Sequence, residues 1–227
     1  MTPFQTHRGR VAVLDRANVD TDQIIPKQFL KAIGRTGFGE HLFHDWRFRS
    51  DGTPNQEFPL NAERFRDASI LVARNNFGCG SSREHAVWAI QQYGFQAIIA
   101  PWQQRGSTRV PAFADIFRNN SGKNGLLTVE LADPEVEEIV QMAGRYAGLE
   151  ATVDLDRQRV TLHLPEEIAF HFEIDPAIKT RLIHGLDEIG ITLKHADAIS
   201  AFETRHNHQL PHHSITEKQS TESQRTT

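Results

Sequence analysis

Between Ser69 and Ala100 the apolar pattern changes its period twice, and few folds accommodate that change. Ser69-Ile70-Leu71-Val72-Ala73 is a short, almost continuous apolar run. Ala86, Ile90 and Tyr93 then recur on one helical face, and Gly94 stands where a helix C-cap is expected. Ala97-Ile98-Ile99-Ala100 is apolar again. Strand, glycine-rich turn, helix and strand in sequence predict a βαβ unit with parallel strands. The turn itself reads Asn75-Asn76-Phe77-Gly78-Cys79-Gly80-Ser81-Ser82-Arg83-Glu84-His85-Ala86. Ser81 and Glu84 have capping-box spacing, which predicts a helix beginning at the serines. Gly78 and Gly80 let the backbone approach a ligand closely. Free N–H groups at a helix start favour an anion, and two hydroxyls and a guanidinium are at hand. The stretch is a candidate carboxylate or phosphate site with a candidate proton acceptor.

Several chemistries fail on spacing. Gly78-Cys79-Gly80-Ser81-Ser82-Arg83 begins like a dinucleotide fingerprint, but Arg83 occupies the third glycine position. No phosphate loop of the Walker type is present, and no serine lies in a Gly-x-Ser-x-Gly elbow. Cys79 and His85 could form a nucleophile and base, yet they flank a helix start on opposite sides; otherwise Cys79 is a small residue packed under the turn. As the lone cysteine it excludes an internal disulfide, which suits a reducing compartment. The 227 residues carry a net charge of −4 with scattered basic residues, so neither nucleic acid nor a membrane surface is the expected partner. No apolar run approaches the ~20 residues needed to span a bilayer. The expectation is a soluble, cytoplasmic protein. Zinc lacks ligands in the main part of the chain; His206, His208, His212 and His213 fall in a polar tail.

Gly9 to Asp15 reads as a first strand. Asn18-Val19-Asp20-Thr21-Asp22-Gln23 opens like a calcium loop, but Gln23 and Phe29 stand where that loop needs Gly and Glu. Two readings stay open. In one, the acids form an Asx-rich turn that caps the next element. In the other, a carboxylate is fixed near the anion site to accept a substrate hydroxyl or orient a cation. Lys27 to Gly39, with Lys27, Lys31 and Arg35 among three glycines, reads as a mobile basic loop that either is solvated or reads the variable end of a substrate. Phe38, Leu42, Phe43, Trp46 and Phe48 form an aromatic-rich patch for the core or for contact between subunits, and 50–61 reads as a connector. Residues 102–111 read as an exposed loop. Phe113, Ile116 and Phe117 have helical spacing that Asn119-Asn120-Ser121-Gly122 ends. A strand over Leu126 to Leu131 and a helix from Asp133-Pro134 follow, the latter with Val136, Ile139, Val140 and Ala143 buried. Then come three short strands, at 151–155, 160–164 and 169–174. A helix from Asp175-Pro176 to Gly185 and a last helix over 195–203 complete the ordered part. Early βαβ and later short strands predict an α/β domain with a mixed sheet over 1–204, followed by a polar, disordered tail over 205–227.

A serine hydroxyl is a poor base in water and serves as one only where a helix start, backbone donors and a cation stabilise its charge. A substrate losing a proton beside a carboxylate also needs an electrophile for the departing hydroxyl. One cysteine cannot ligate an iron–sulfur cluster, so the electrophile must come from another chain.

Asn76 to Ala86 resembles the signature of the aconitase swivelling-domain family, in the form found in 3-isopropylmalate dehydratase small subunits. Asp20-Thr21-Asp22-Gln23-Ile24-Ile25-Pro26, Arg35-Thr36-Gly37-Phe38-Gly39, Asp45-Trp46-Arg47, Phe113-Ala114-Asp115-Ile116-Phe117 and Gly185-Leu186-Asp187-Glu188-Ile189-Gly190 match in family order. The resemblance implies a swivelling β/β/α three-layer domain docked on a large subunit that carries a [4Fe–4S] cluster. The pair would interconvert 2-isopropylmalate and 3-isopropylmalate through isopropylmaleate, in leucine biosynthesis. It implies Ser81 as base and Arg83 as carboxylate clamp, helped by Ser82 and the turn amides around Gly80. Asp22 would lie near the cluster-bound hydroxyl or orient Arg83, and Thr21 would lie at the substrate, with Lys27 and Arg35 on the loop that would contribute to recognition of the isopropyl end. Family members run from the equivalent of Ala100-Pro101 almost directly into Phe113, so about ten residues here resemble an insertion, the loop at 102–111. Thr128 stands where proline is common. The alternatives are the small chain of a related 2-hydroxy acid hydro-lyase (homoaconitase, alkylmalate or citraconate hydratase) and a non-catalytic assembly module.

Overall fold

The computed structural model describes residues 1–31, 34–80 and 83–206, without the Lys31 side chain. In chain order the elements are β1 (Thr6–Leu14), α1 (Thr21–Ile24), α2 (His44–Arg47), β2 (Ala68–Ala73), α3 (Glu84–Tyr93), β3 (Ala97–Arg105), β4 (Thr108–Val110), α4 (Asp115–Asn124), β5 (Leu127–Ala132) and α5 (Asp133–Arg145). They continue with β6 (Glu150–Asp154), β7 (Arg159–Leu162), β8 (Ile168–His171), α6 (Pro176–His184), α7 (Glu188–Leu193) and α8 (Ala196–His206). The chain divides into a unit Met1–Ile189 and a short unit Gly190–Thr227, the latter described only as far as His206.

The strands form one mixed sheet, as the change from βαβ to short hairpins predicts. β1, β2, β3 and β5 are parallel, with β3 between β2 and β5. β6, β7 and β8 add antiparallel strands beyond β1. Alternate residues of the parallel strands feed two cores on opposite faces. Ala12, Leu14, Leu71, Ala73, Ile98 and Ala100 join α3 and the aromatic patch, where Phe38, Leu42 and Phe43 are fully buried. Val11, Val13, Ile70, Val72, Ala97 and Ile99 join α5 and the antiparallel strands. This two-sided burial is why the parallel strands read as continuous apolar runs.

Four local expectations are corrected. α3 starts at Glu84, with Arg83 as an extended N-cap at φ −124°, not at a Ser81 capping box. The Glu84 carboxylate accepts from Asn124 Nδ2 on α4, at 2.9 Å. Second, 102–111 is a β-hairpin rather than a loop: β3 runs on to Arg105 and pairs antiparallel with β4, Gln104 opposite Arg109. Gly106, at φ +60°, opens the two-residue turn. Third, α4 continues through Asn119 to Gly122 and ends at Gly125, while Ile116 is exposed. Gly122 is a packing choice, because a Cβ there would lie 3.0 Å from Ile178 Cγ2. Finally, α8 carries helix through Arg205 and His206, past the expected tail boundary. The rest of the expected tail, including His208, His212 and His213, lies outside the described residues.

Candidate functional site

Parallel β1 and β2 leave the sheet at the same end, Leu14 level with Ala73. Ligands of open α/β sheets bind outside the carboxyl ends of the strands. There the two following loops are sewn together through the backbone. Asn18 N–H donates to Asn75 O at 3.0 Å, Gly78 N–H to Val19 O at 2.8 Å and Thr21 N–H to Cys79 O at 3.0 Å. The other side of the glycine loop is sewn to the end of the hairpin. Phe77 N–H donates to Ala112 O at 3.0 Å, and Ala114 N–H donates to Phe77 O at 3.1 Å. Gly78 and Gly80 sit at φ +75° and +83°, conformations that L side chains rarely adopt.

The acid-rich turn divides its labour. Asp20 caps α1: its Oδ1 accepts from Gln23 N–H at 2.7 Å, and Gln23 Oε1 accepts from Asp20 N–H at 3.0 Å. The capping reading therefore belongs to Asp20. Asp22, two residues on, instead meets two cations, Lys27 Nζ at 3.1 Å and Arg83 Nη1 at 3.2 Å. Asp22 thus gathers two cations, while the second acid, Asp20, lies nearest Gly80, its Cβ 3.3 Å from where a Gly80 Cβ would be, so two cations and two carboxylates meet at the turn. Arg83 is the better sheltered cation, with a side chain 26% exposed against 68% for Lys27.

Of the remaining expected site residues, Thr21 is buried beneath the turn at 1% exposure. Gly80 is exposed. Ser81 and Ser82 lie outside the described residues, as do Ala32 and Ile33 of the basic loop. Arg35 is placed elsewhere: its guanidinium lies 5.3 Å from the Trp88 ring on α3, and no contact to Asp22 or Arg83 is present among the described residues. Its loop is pinned by Gln92, which accepts from Phe38 N–H at 2.8 Å and donates to Arg35 O at 2.7 Å. Sequence reading passed over Gln92, and nothing in a helical Gln-Gln pair flags it.

Cys79 is half-buried. Burial first, and then the nearby Asp20 carboxylate, push its thiol pKa up. That is the opposite of what a cysteine nucleophile requires. Cys79→Ala is therefore expected to retain turnover within a few-fold. Iodoacetamide at neutral pH is expected to label Cys79 more slowly than an exposed peptide thiol; rapid labelling would contradict the assigned environment.

No group of three or more His, Cys, Asp or Glu placed to hold a metal occurs among the described residues, and no described helix is long and apolar enough to cross a membrane. The single thiol does not fit as a cluster ligand set.

Sheet and glycine loop together define an aconitase-type swivelling domain, and the sequence model of the aconitase C-terminal domain matches residues 1–134. The model of the C-terminal domain of 3-isopropylmalate dehydratase small subunits matches 188–211. A 3-isopropylmalate dehydratase small subunit from Desulforapulum autotrophicum is 54% identical over 205 residues, 90% of this chain and 96% of that one. A solved 3-isopropylmalate dehydratase structure from Methanocaldococcus jannaschii superposes with a TM-score of 0.58. It covers 87% of this chain and 99% of that one at 24% identity, a likeness of fold. The chain belongs to the family of 3-isopropylmalate dehydratase small subunits.

Proposed function

We propose that this chain is the small subunit of a cytoplasmic hydro-lyase that interconverts 2-isopropylmalate and 3-isopropylmalate through isopropylmaleate. The observation that carries the reading is the 54% identity to a relative of that name across nearly the whole chain. The Arg83 guanidinium, held by Asp22 at the end of the glycine loop, supports it. Arg83 binds a substrate carboxylate through its planar fork, assisted by Ser82 and the amides around Gly80. Asp22 holds that guanidinium in place and shares its charge with Lys27. Ser81 takes the carbon-bound proton. The loop from Lys27 to Gly39, including Arg35, meets the isopropyl end, and Thr21 supports the turn from beneath. The electrophile for the departing hydroxyl is the [4Fe–4S] cluster that the family resemblance assigns to the large subunit.

The deciding experiment is anaerobic co-expression with the large subunit and assay of isopropylmalate, citraconate and homologous 2-hydroxy acids. Activity of the pair on isopropylmalate, with none from this chain alone, is the expected result. Preference for another acid would reassign the substrate, and no activity on any would overturn the hydro-lyase reading. Arg83→Lys is expected to raise KM roughly 10–100-fold, the range for losing a charge-assisted hydrogen bond. An unchanged KM would remove Arg83 from the clamp.

A further inference from the structure

The hairpin of β3 and β4 stands beyond the carboxyl end of the parallel sheet, and its position gives it a use. Its first leg prolongs a parallel strand past the carboxyl end of the sheet, on the side where the glycine loop lies. At about 3.3 Å per residue, Arg105 stands roughly 13 Å beyond Pro101. Its second leg returns through Pro111 to Ala112–Ala114, the backbone sewn to Phe77 immediately before Gly78. The hairpin is thus an outgrowth of the rim of the proposed site.

Contacts at its base and turn hold it. The Arg109 guanidinium lies 4.6 Å from the Trp102 ring and 3.4 Å from Glu130 on β5. Gln103 Nε2 donates to Asp133 Oδ1 at 3.5 Å, and Gln104 Nε2 donates to Gly106 O at 2.8 Å. Arg109 is used within the chain. Arg105 is exposed at the tip and forms no ion pair among the described residues.

We infer that this hairpin is a docking arm for the large subunit, with Arg105 paired to a carboxylate on the partner's surface. The inference rests on the proposed function. A partner that completes the site must cover the Gly78 to Arg83 loop, so it approaches the end of the sheet from which the hairpin rises. A cation held at the strand end beside a two-residue turn then meets that partner at the rim of the interface, where charges govern association and register.

The test measures binding of this chain to the purified large subunit at several salt concentrations, with kcat and KM of the saturated pair. Arg105→Glu is expected to weaken association about 10-fold or more and to flatten its salt dependence, with kcat and KM within two-fold of wild type. Arg105→Lys is expected to recover most of the affinity. Unchanged affinity for Arg105→Glu would overturn the proposal. So would normal affinity with altered KM, which would make the hairpin a substrate wall, or an Arg105-dependent self-association of this chain alone. The wild-type pair separates the two readings: if it binds but is inactive on every acid, the hydro-lyase assignment fails while the docking arm is still judged on affinity.

Discussion

Ser81→Ala in the assembled enzyme is expected to lower kcat by about 10²–10⁴-fold, the usual contribution of a positioned acid or base, while KM and affinity for the large subunit stay near wild type. A serine hydroxyl gives up its proton only where the resulting charge is stabilised. Gly80 and Arg83 flank Ser81 and Ser82 in sequence, and Arg83 is held by Asp22 at 3.2 Å at the N-terminus of a ten-residue helix. That end of α3 carries the positive pole of its dipole. Removing one oxygen takes away the proton acceptor but neither the guanidinium nor the loop, so the loss belongs in kcat. Arg83→Lys makes the contrasting prediction, a loss mainly in KM. If Ser81→Ala turned over isopropylmalate at near wild-type rate, the base would have to be another group. If it raised KM alone, Ser81 would be a binding residue and the division of labour with Arg83 would be wrong.

What was legible in the sequence follows the range of the forces involved. The βαβ unit was readable because two-sided burial writes a continuous apolar run, and the helix between writes a different period. α6 was readable at both ends because Asp175-Pro176 and Gly185 act on their own backbone. Asp175 Oδ1 accepts from Ala177 N–H at 2.8 Å, and Gly185 closes the helix at φ +63°. The errors arise where a distant partner decides. Ser81 and Glu84 have the local spacing of a cap, but α3 begins at Glu84, whose carboxylate accepts from Asn124 on another helix. The hairpin was hidden by its polar legs; only Gly106-Ser107 announced a turn, and the strand pairing depends on β3 continuing beyond the sheet. For the site, residue types at one loop suggested an anion, whereas the sharing of Asp22 between Lys27 and Arg83 requires the two loops to meet. Two acids two residues apart, Asp20 and Asp22, acquire separate tasks only once that meeting is seen.

Gly78→Ala is expected to destabilise the chain by about 2–5 kcal/mol, combining roughly 1–2 for a left-handed L residue with roughly 1–3 for overpacking. Gly78 lies at φ +75°, and a Cβ there would fall 2.2 Å from Phe117 Cγ and 2.6 Å from Phe117 Cβ. Those atoms are the root of the side chain, so no rotation of its far end relieves the clash. Nor can the ring retreat: Phe117 is fully buried, edge-on to Phe77 at 5.4 Å and stacked with Phe113 at 6.3 Å. The alternative is for the loop to move, and that breaks the bond from Gly78 N–H to Val19 O that ties it to the acid turn. The melting temperature is expected to fall by roughly 4–20 °C, taking about 2–4 °C per kcal/mol for a domain of this size. Because the same displacement separates Arg83 from Asp22, KM for isopropylmalate is expected to rise even at temperatures where the variant is fully folded. A second change weighs the ring of Phe117 against the rest of the cost. Phe117→Ala removes Cγ and Cδ2 but keeps the Cβ that a Gly78 Cβ would meet at 2.6 Å, so in a Phe117→Ala background the Gly78→Ala cost is expected to fall while staying above the conformational part of about 1–2 kcal/mol. A full additive loss in the double variant would mean that the ring of Phe117 has no part in setting the loop, and that the positive φ and the contact with Phe117 Cβ carry the whole cost.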